Sequence, residues 1–163
     1  MEEQRKKRDT KTVGDRSEIE ALAALSRAGY DVFVPFGENH RFDLIAERDG
    51  VLLRVQVKTG RLRRGVIMFH CWSSHSHRNG PCMRTYVGEI DYFAVYCPEL
   101  DAVFMVPIAD VRTSGVLRWL PALNQQKRRV RWARPYLVNQ RRAGLVGTGQ
   151  AGEVASGEIG LPL

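Results

Sequence analysis

The apolar positions of the chain fall into two regimes. In "SEIEALAALSRAGY" (17–30) they recur with a helical period. At 100° per residue Ile19, Leu22 and Leu25 share one face, and Gly29 follows as a C-cap. Beyond residue 30 the pattern becomes that of strands. "YDVFVPF" is a short strand ending at Pro35, and "RFDLIAE" is a second. "VLLRVQVKTG" is a third, pairing back across a hairpin turn at Asp49-Gly50. "GVIMFH" reads as another strand, "DYFAVYC" and "AVFMVP" form a second hairpin about "PELD", and "IADV" makes a short helical turn after Pro107. One helix followed by a meander of strands predicts an α+β domain with a mixed sheet against the helix. The body spans residues 11–138. A polar arm (1–10) precedes it, and a Gly/Ala-rich tail without sustained period (139–163) follows and is expected to be disordered.

Some residues do not fit a purely structural pattern. The third strand should be buried, yet Gln56 and Lys58 alternate with Val55 and Val57, which puts an amide and an ammonium on one face. Asp43 lies near the start of the partner strand. Glu18 lies within the apolar face of the helix beside Leu22 and Leu25, whereas Glu20 lies opposite. A carboxylate there costs free energy unless a cation meets it. Asp15 with Glu18, or Ser17 with Glu20, also has capping-box spacing, so a capping role stands beside the functional one. Carboxylate and amide oxygens ligate hard cations such as Mg²⁺, and a nearby lysine can hold a phosphate or a water. The plain alternative is a surface Asp beside a Gln and a Lys on an exposed strand.

Composition narrows the class. The chain has 163 residues and 44% hydrophobic residues, enough for one soluble domain with a real core. No apolar run approaches the roughly 18 residues of a membrane span, and the charged start is no secretory signal. Three cysteines (Cys71, Cys82, Cys97) in no framework spacing suit a reducing, cytoplasmic setting. Lys plus Arg number 25 against 18 acids, a net charge of +7. The surplus is clustered in "KTGRLRRG" (58–65) and in "QQKRRVRWARP" (125–135), the second run carrying no acid and interleaved with Trp132. That pattern suits a phosphate backbone. "HCWSSHSHRNGPC" (70–82) holds zinc-ligand types in a spacing that matches no familiar site, and its Ser/Gly-rich run reads as a flexible loop.

Glu18, Asp43 and the "QVK" of residues 56–58 together resemble the PD-(D/E)XK nuclease superfamily. The likeness is greatest to the group I intron-associated PD-(D/E)XK endonucleases, which show a helix Glu, an Asp after a "P…G" strand, and a Gln where most relatives have an acid. The flanks "GYDVFVPFGENHRFDLIAERDGVLLRVQVKTGRLRRG", "YVGEIDYFAVYCPELDAVFMVP" and "LNQQKRRVRWA" extend it over roughly residues 11 to 138. The resemblance implies a restriction-endonuclease-like α+β fold with a central mixed sheet flanked by helices. It implies Asp43 as the main metal-ligating carboxylate, Gln56 as an amide-oxygen ligand, Glu18 completing the shell and Lys58 as the catalytic lysine. The cofactor would be Mg²⁺, with Mn²⁺ able to substitute. The substrate would be double-stranded DNA, cut to leave 5′-phosphate and 3′-hydroxyl ends by a homo-oligomer (dimer or tetramer). Arg61, Arg63, Arg64, Lys127, Arg128, Arg129, Arg131 and Arg134 would hold the duplex. Phe42 stands where the motif's name has Pro, and Gln56 makes the site one negative charge poorer. A DNA-binding module that keeps the fold without cutting is the alternative.

Overall fold

The helical period seen at residues 17–30 extends nearly two turns further back. In the computed structural model, α1 runs Thr10–Arg27. Residues 10–37, 39–77, 80–111, 114–121 and 130–140 are described. The remainder of the polar arm, the tail from residue 141, and Lys127, Arg128 and Arg129 lie outside them. The helix ends as expected at Gly29, whose φ is +87°. Gly29 N–H bonds Ser26 C=O and Tyr30 N–H bonds Leu25 C=O, both at 3.1 Å, the paired bonds of a Schellman cap.

The early start revises the helix twice. Asp15 and Ser17 are interior, so neither capping-box pairing operates. The buried stripe is Ser17, Ala21, Ala24 and Leu25, while Ile19 is 66% and Leu22 38% exposed. Small side chains let the helix backbone approach the sheet closely, and that closeness outranks aliphatic bulk. Ser17 is buried at no hydrogen-bonding loss: its hydroxyl donates to Val13 C=O at 3.0 Å and lies 2.6 Å from Thr59 Oγ1.

Strands β1 (Asp31–Phe33), β2 (Leu44–Arg48) and β3 (Val51–Thr59) follow. The β2–β3 hairpin turns at Asp49 (φ 55°) and Gly50 (φ 80°), both left-handed as a type I′ turn requires. β4 (Arg61–Arg63), β5 (Val66–His70), β6 (Trp72–His77) and β7 (Gly80–Thr85) lead to β8 (Tyr92–Cys97) and β9 (Ala102–Pro107). A 3₁₀ turn at Ile108–Asp110, β10 (Ser114–Arg118), a second 3₁₀ turn at Arg134–Tyr136 and β11 (Leu137–Gln140) complete the order. The main sheet runs β1-β2-β3-β8-β9-β11. It is mixed, because β3 and β8 pair in parallel while every other neighbour is antiparallel.

Both faces of this sheet are covered. α1 packs on one, where Val55, Val57 and Ala94 meet Ala21, Ala24 and Leu25. The opposite core gathers Phe93, Val95, Phe104 and Val106 against Ile67, Phe69, Tyr86 and Leu117. Its lid is the crossover from β3 to β8, which is built of strands. β4 and β5 join β10 in a three-stranded sheet, and β6 and β7 form a hairpin. Among the described residues, then, one flank is helical and the other is β. Gly60 permits the exit into this second layer, since a Cβ there would meet Val95 Cγ1 at 2.8 Å and Ile67 Cγ2 at 2.9 Å. The run expected to be a flexible loop is instead the β6–β7 hairpin, in register from Trp72↔Thr85 to His77↔Gly80. Among the described residues no helix is long and apolar enough to cross a membrane.

Candidate active site

The site arises where β3 outlasts its neighbour. The β2–β3 ladder has Leu44 opposite Val55 at this end, so beyond Val55 only β8 continues alongside, pairing as far as Thr59↔Tyr96. The N–H of Val57 therefore needs another acceptor. Asp43, the residue just before β2, supplies one. Its backbone N–H bonds Val55 C=O at 2.9 Å, and its Oδ2 accepts from Val57 N–H at 2.8 Å. Gln56 donates its side-chain Nε2 to the same oxygen at 2.6 Å. Phe42, in the motif's proline position, is partly buried in the second core and contributes no polar group.

Gln56 and Lys58 face away from α1, as the alternation predicts, but not onto an open strand face. Both are half-buried beneath the second layer. Lys58 Nζ donates to the hydroxyl of Tyr86 at 3.0 Å and lies 4.7 Å from that ring's centroid. Glu18 reaches the same end of the sheet from α1, where the neighbouring Ser17–Thr59 contact anchors the helix to the end of β3.

The electrostatics of the two carboxylates agree. Burial pushes Asp43 above the usual range, outweighing the Val57 N–H, the Gln56 amide and the Lys58 charge, all of which favour its ionised form. Glu18 is open to solvent on one side, yet partial desolvation raises it as well, followed by repulsion from Asp43 and from Asp15. The pair is short of positive charge. Among the described residues no three His, Cys, Asp or Glu side chains gather as a ligand cluster, so the donors here are two carboxylates and an amide. Gln56 presents its NH₂ to Asp43, and a half-turn of the amide would present its oxygen instead. This donor set suits a hard divalent cation.

The described arginines of the two basic runs lie around the small sheet. Arg61 and Arg63 are on β4, and Arg64 (φ 49°) begins the turn into β5. Arg61 is 3.7 Å from Glu99. The segment carrying Arg131 runs beside β10, with Arg118 N–H on Arg131 C=O at 2.7 Å and Ala133 N–H on Arg118 C=O at 2.9 Å. Arg134 lies over the Trp119 ring at 5.7 Å. Because the sheet order is β10-β5-β4, the β4 arginines and the segment about Arg131 border opposite edges of one small sheet.

Two participants, Arg41 and Tyr86, carry no signal in the sequence, and Ser17, a candidate cap in the sequence, instead packs against Thr59. The Lys58–Tyr86 contact spans 28 residues and leaves no local signal.

Residues 8–139 match the family model described as PD-(D/E)XK endonuclease. The structure is also similar to a solved structure of a bacterial homing endonuclease, I-Ssp6803I. The TM-score is 0.63 and the identity 23%, over 79% of this chain and 88% of that one, a likeness of fold. No curated protein matches the chain.

Proposed function

The chain belongs to the PD-(D/E)XK endonuclease family, and from that premise we propose that it is a divalent-metal-dependent DNA endonuclease leaving 5′-phosphate and 3′-hydroxyl ends. The observation that carries the proposal is the convergence of Asp43, Gln56, Lys58 and Glu18 at the end of β3, with both carboxylates pushed toward protonation. A divalent cation offsets that charge deficit.

Asp43, Glu18 and the Gln56 amide oxygen would hold Mg²⁺ or Mn²⁺. When bound, the cation polarises the scissile phosphate and acidifies the attacking water. Lys58 has three N–H donors, of which one bonds Tyr86. The other two are available to orient the water and to meet charge developing on a non-bridging phosphate oxygen. In-line attack forms a P–O bond to the water oxygen and breaks the bond to O3′. The phosphate stays on the 5′ side, and the O3′ leaving group takes up a proton. Arg61, Arg63, Arg64, Arg131 and Arg134 track the backbone from both edges of the small sheet, with Lys127, Arg128 and Arg129 extending the second run. One cluster per subunit cuts one strand, so cleavage of both strands calls for a homo-oligomer. We place the protein in the cytoplasm, on its odd cysteine count.

The second reading, a DNA-binding module that does not cut, draws on Gln56, which replaces an acid and sets its NH₂ against Asp43. The test is incubation with pooled duplex DNA in Mg²⁺, Ca²⁺ or EDTA, followed by sequencing of the ends. Mg²⁺-dependent cleavage that is lost in Lys58→Ala supports the endonuclease. Binding without cleavage under any divalent ion supports the module.

A further inference from the structure

Lysine carries its charge on a flexible four-carbon stem, so a lysine that orients a water must be held at its ammonium. Nothing on β3 does this for Lys58. The partner comes from the far end of the crossover. Tyr86 is 4% exposed, accepts from Lys58 Nζ at 3.0 Å, and packs edge-on against Phe93 with centroids 5.6 Å apart.

The Tyr86 ring is itself held by Arg41. That guanidinium lies 4.3 Å from the ring centroid. Its Nε donates to Glu89 at 2.5 Å, and its two terminal nitrogens donate to Ser73 Oγ and Thr85 C=O, each at 2.9 Å. Each guanidinium nitrogen thus makes one hydrogen bond, which holds Arg41 against the Thr85–Glu89 segment although it lies only two residues from Asp43. Its anchors, Thr85 and Glu89, bracket Tyr86 in sequence. The segment between them is further closed by Glu89 N–H on Tyr86 C=O at 3.0 Å. Glu89 lies between the Arg41 and Arg84 side chains, and the hydrogen bond from Arg41 contributes most to holding its carboxyl below the usual range.

We propose that Tyr86 is the positioning residue for Lys58, and that Arg41 fixes Tyr86 by tying the Thr85–Glu89 segment to the stretch that carries Asp43 into β2. The contact stands on geometry alone, and its consequence for cleavage rests on the endonuclease reading.

Tyr86→Phe tests it, because the ring contacts with Phe93 and Arg41 remain and only the phenolic oxygen is lost. Single-turnover cleavage at saturating DNA should slow by roughly ten- to a hundredfold, as for other small misplacements of a reacting group. The Kd for DNA in Ca²⁺ should stay within about twofold, and the unfolding midpoint within about 2 °C. Arg41→Lys should slow cleavage similarly, and the double variant should be no slower than the worse single one. An amine-selective ¹H–¹⁵N spectrum gives a readout independent of cleavage. The Lys58 ammonium signal, assigned by its loss in Lys58→Met, should broaden in Tyr86→Phe as exchange with water accelerates. An unmoved Lys58 signal in Tyr86→Phe overturns the proposal, whether or not the parent cuts DNA. A parent that never cuts overturns the endonuclease reading and leaves this contact to be decided by the spectrum.

Discussion

Gln56 donates its side-chain amide to Asp43 Oδ2 at 2.6 Å, and that oxygen also accepts the N–H of Val57 at 2.8 Å. A carboxylate raised by burial is thus quieted by two neutral donors. The partial positive charge of the amide stands where a cation would otherwise be needed. An acid at position 56 would withdraw that donor and add a second charge beside the first, so the Gln sets a balance between stability without metal and affinity for metal.

Gln56→Glu should therefore destabilise the metal-free protein and tighten Mg²⁺ binding. A half-buried charge without a partner costs about 1–2 kcal/mol, which for a domain of this size lowers the unfolding midpoint by roughly 3–8 °C. Millimolar Mg²⁺ should restore it, and cleavage should persist. Gln56→Leu should lose cleavage while remaining folded. Calorimetry with and without Mg²⁺ reads the first effect and a nicking assay the second. Full activity of Gln56→Leu would show that position 56 is passive.

Asp43→Asn keeps an oxygen for the Val57 N–H and removes the charge that burial disfavours. Its unfolding midpoint should equal or exceed the parental one, while Mg²⁺-dependent cleavage falls by roughly a thousandfold, the scale of a lost metal ligand. DNA binding in Ca²⁺ should be nearly intact. A variant that cuts at the parental rate would mean that the site lies elsewhere.

Metal-free stability should peak on the acid side of neutrality. Glu18 and Asp43 titrate above their ordinary values in the fold, so the folded protein holds protons that the unfolded chain has released. Stability then rises as pH falls from neutral through those raised values, and levels off below the unfolded values near about 4. Asp91 and Glu89 act oppositely. Hydrogen bonds from Arg54 and from Arg41 hold them low, so their contribution is full above about pH 4 and is lost as pH falls through the depressed values. The windows meet near the unfolded carboxylate values, which places the maximum at about pH 4. Mg²⁺ should move it toward neutral, because the cation binds the charged forms. A midpoint that only declines from pH 7 to pH 4 would contradict this assignment.

Arg63 and Arg61 should differ on DNA. Each phosphate contact adds about 0.9 to the slope of log affinity against log salt. Arg63 is exposed, whereas Arg61 is 3.7 Å from Glu99. Arg63→Ala should lower the slope by close to one contact, and Arg61→Ala by less. Fluorescence anisotropy across a salt series measures both. Equal, unchanged slopes would remove β4 from the DNA surface.

Much of the fold was legible without coordinates because it is written in local chemistry. Asp49-Gly50 can adopt two successive left-handed residues, and that suffices to pair β2 with β3. Alternation around Val55 and Val57 puts Gln56 and Lys58 on one face whatever lies above them, and Asp43 enters the site simply by preceding β2. What the chain folds against was decided only in three dimensions. Ile19 and Leu22 have the hydrophobicity to be buried, yet close approach to the sheet favours Ser17, Ala21 and Ala24, so the face of α1 turns. Covering the second face with β4, β5 and β10 makes Gln56 and Lys58 half-buried, and the crossover brings Tyr86 to Lys58 across 28 residues. Periodicity and turn residues act over a few positions and show in sequence. Packing of one layer on another joins residues by shape and distance, which no stretch of sequence contains.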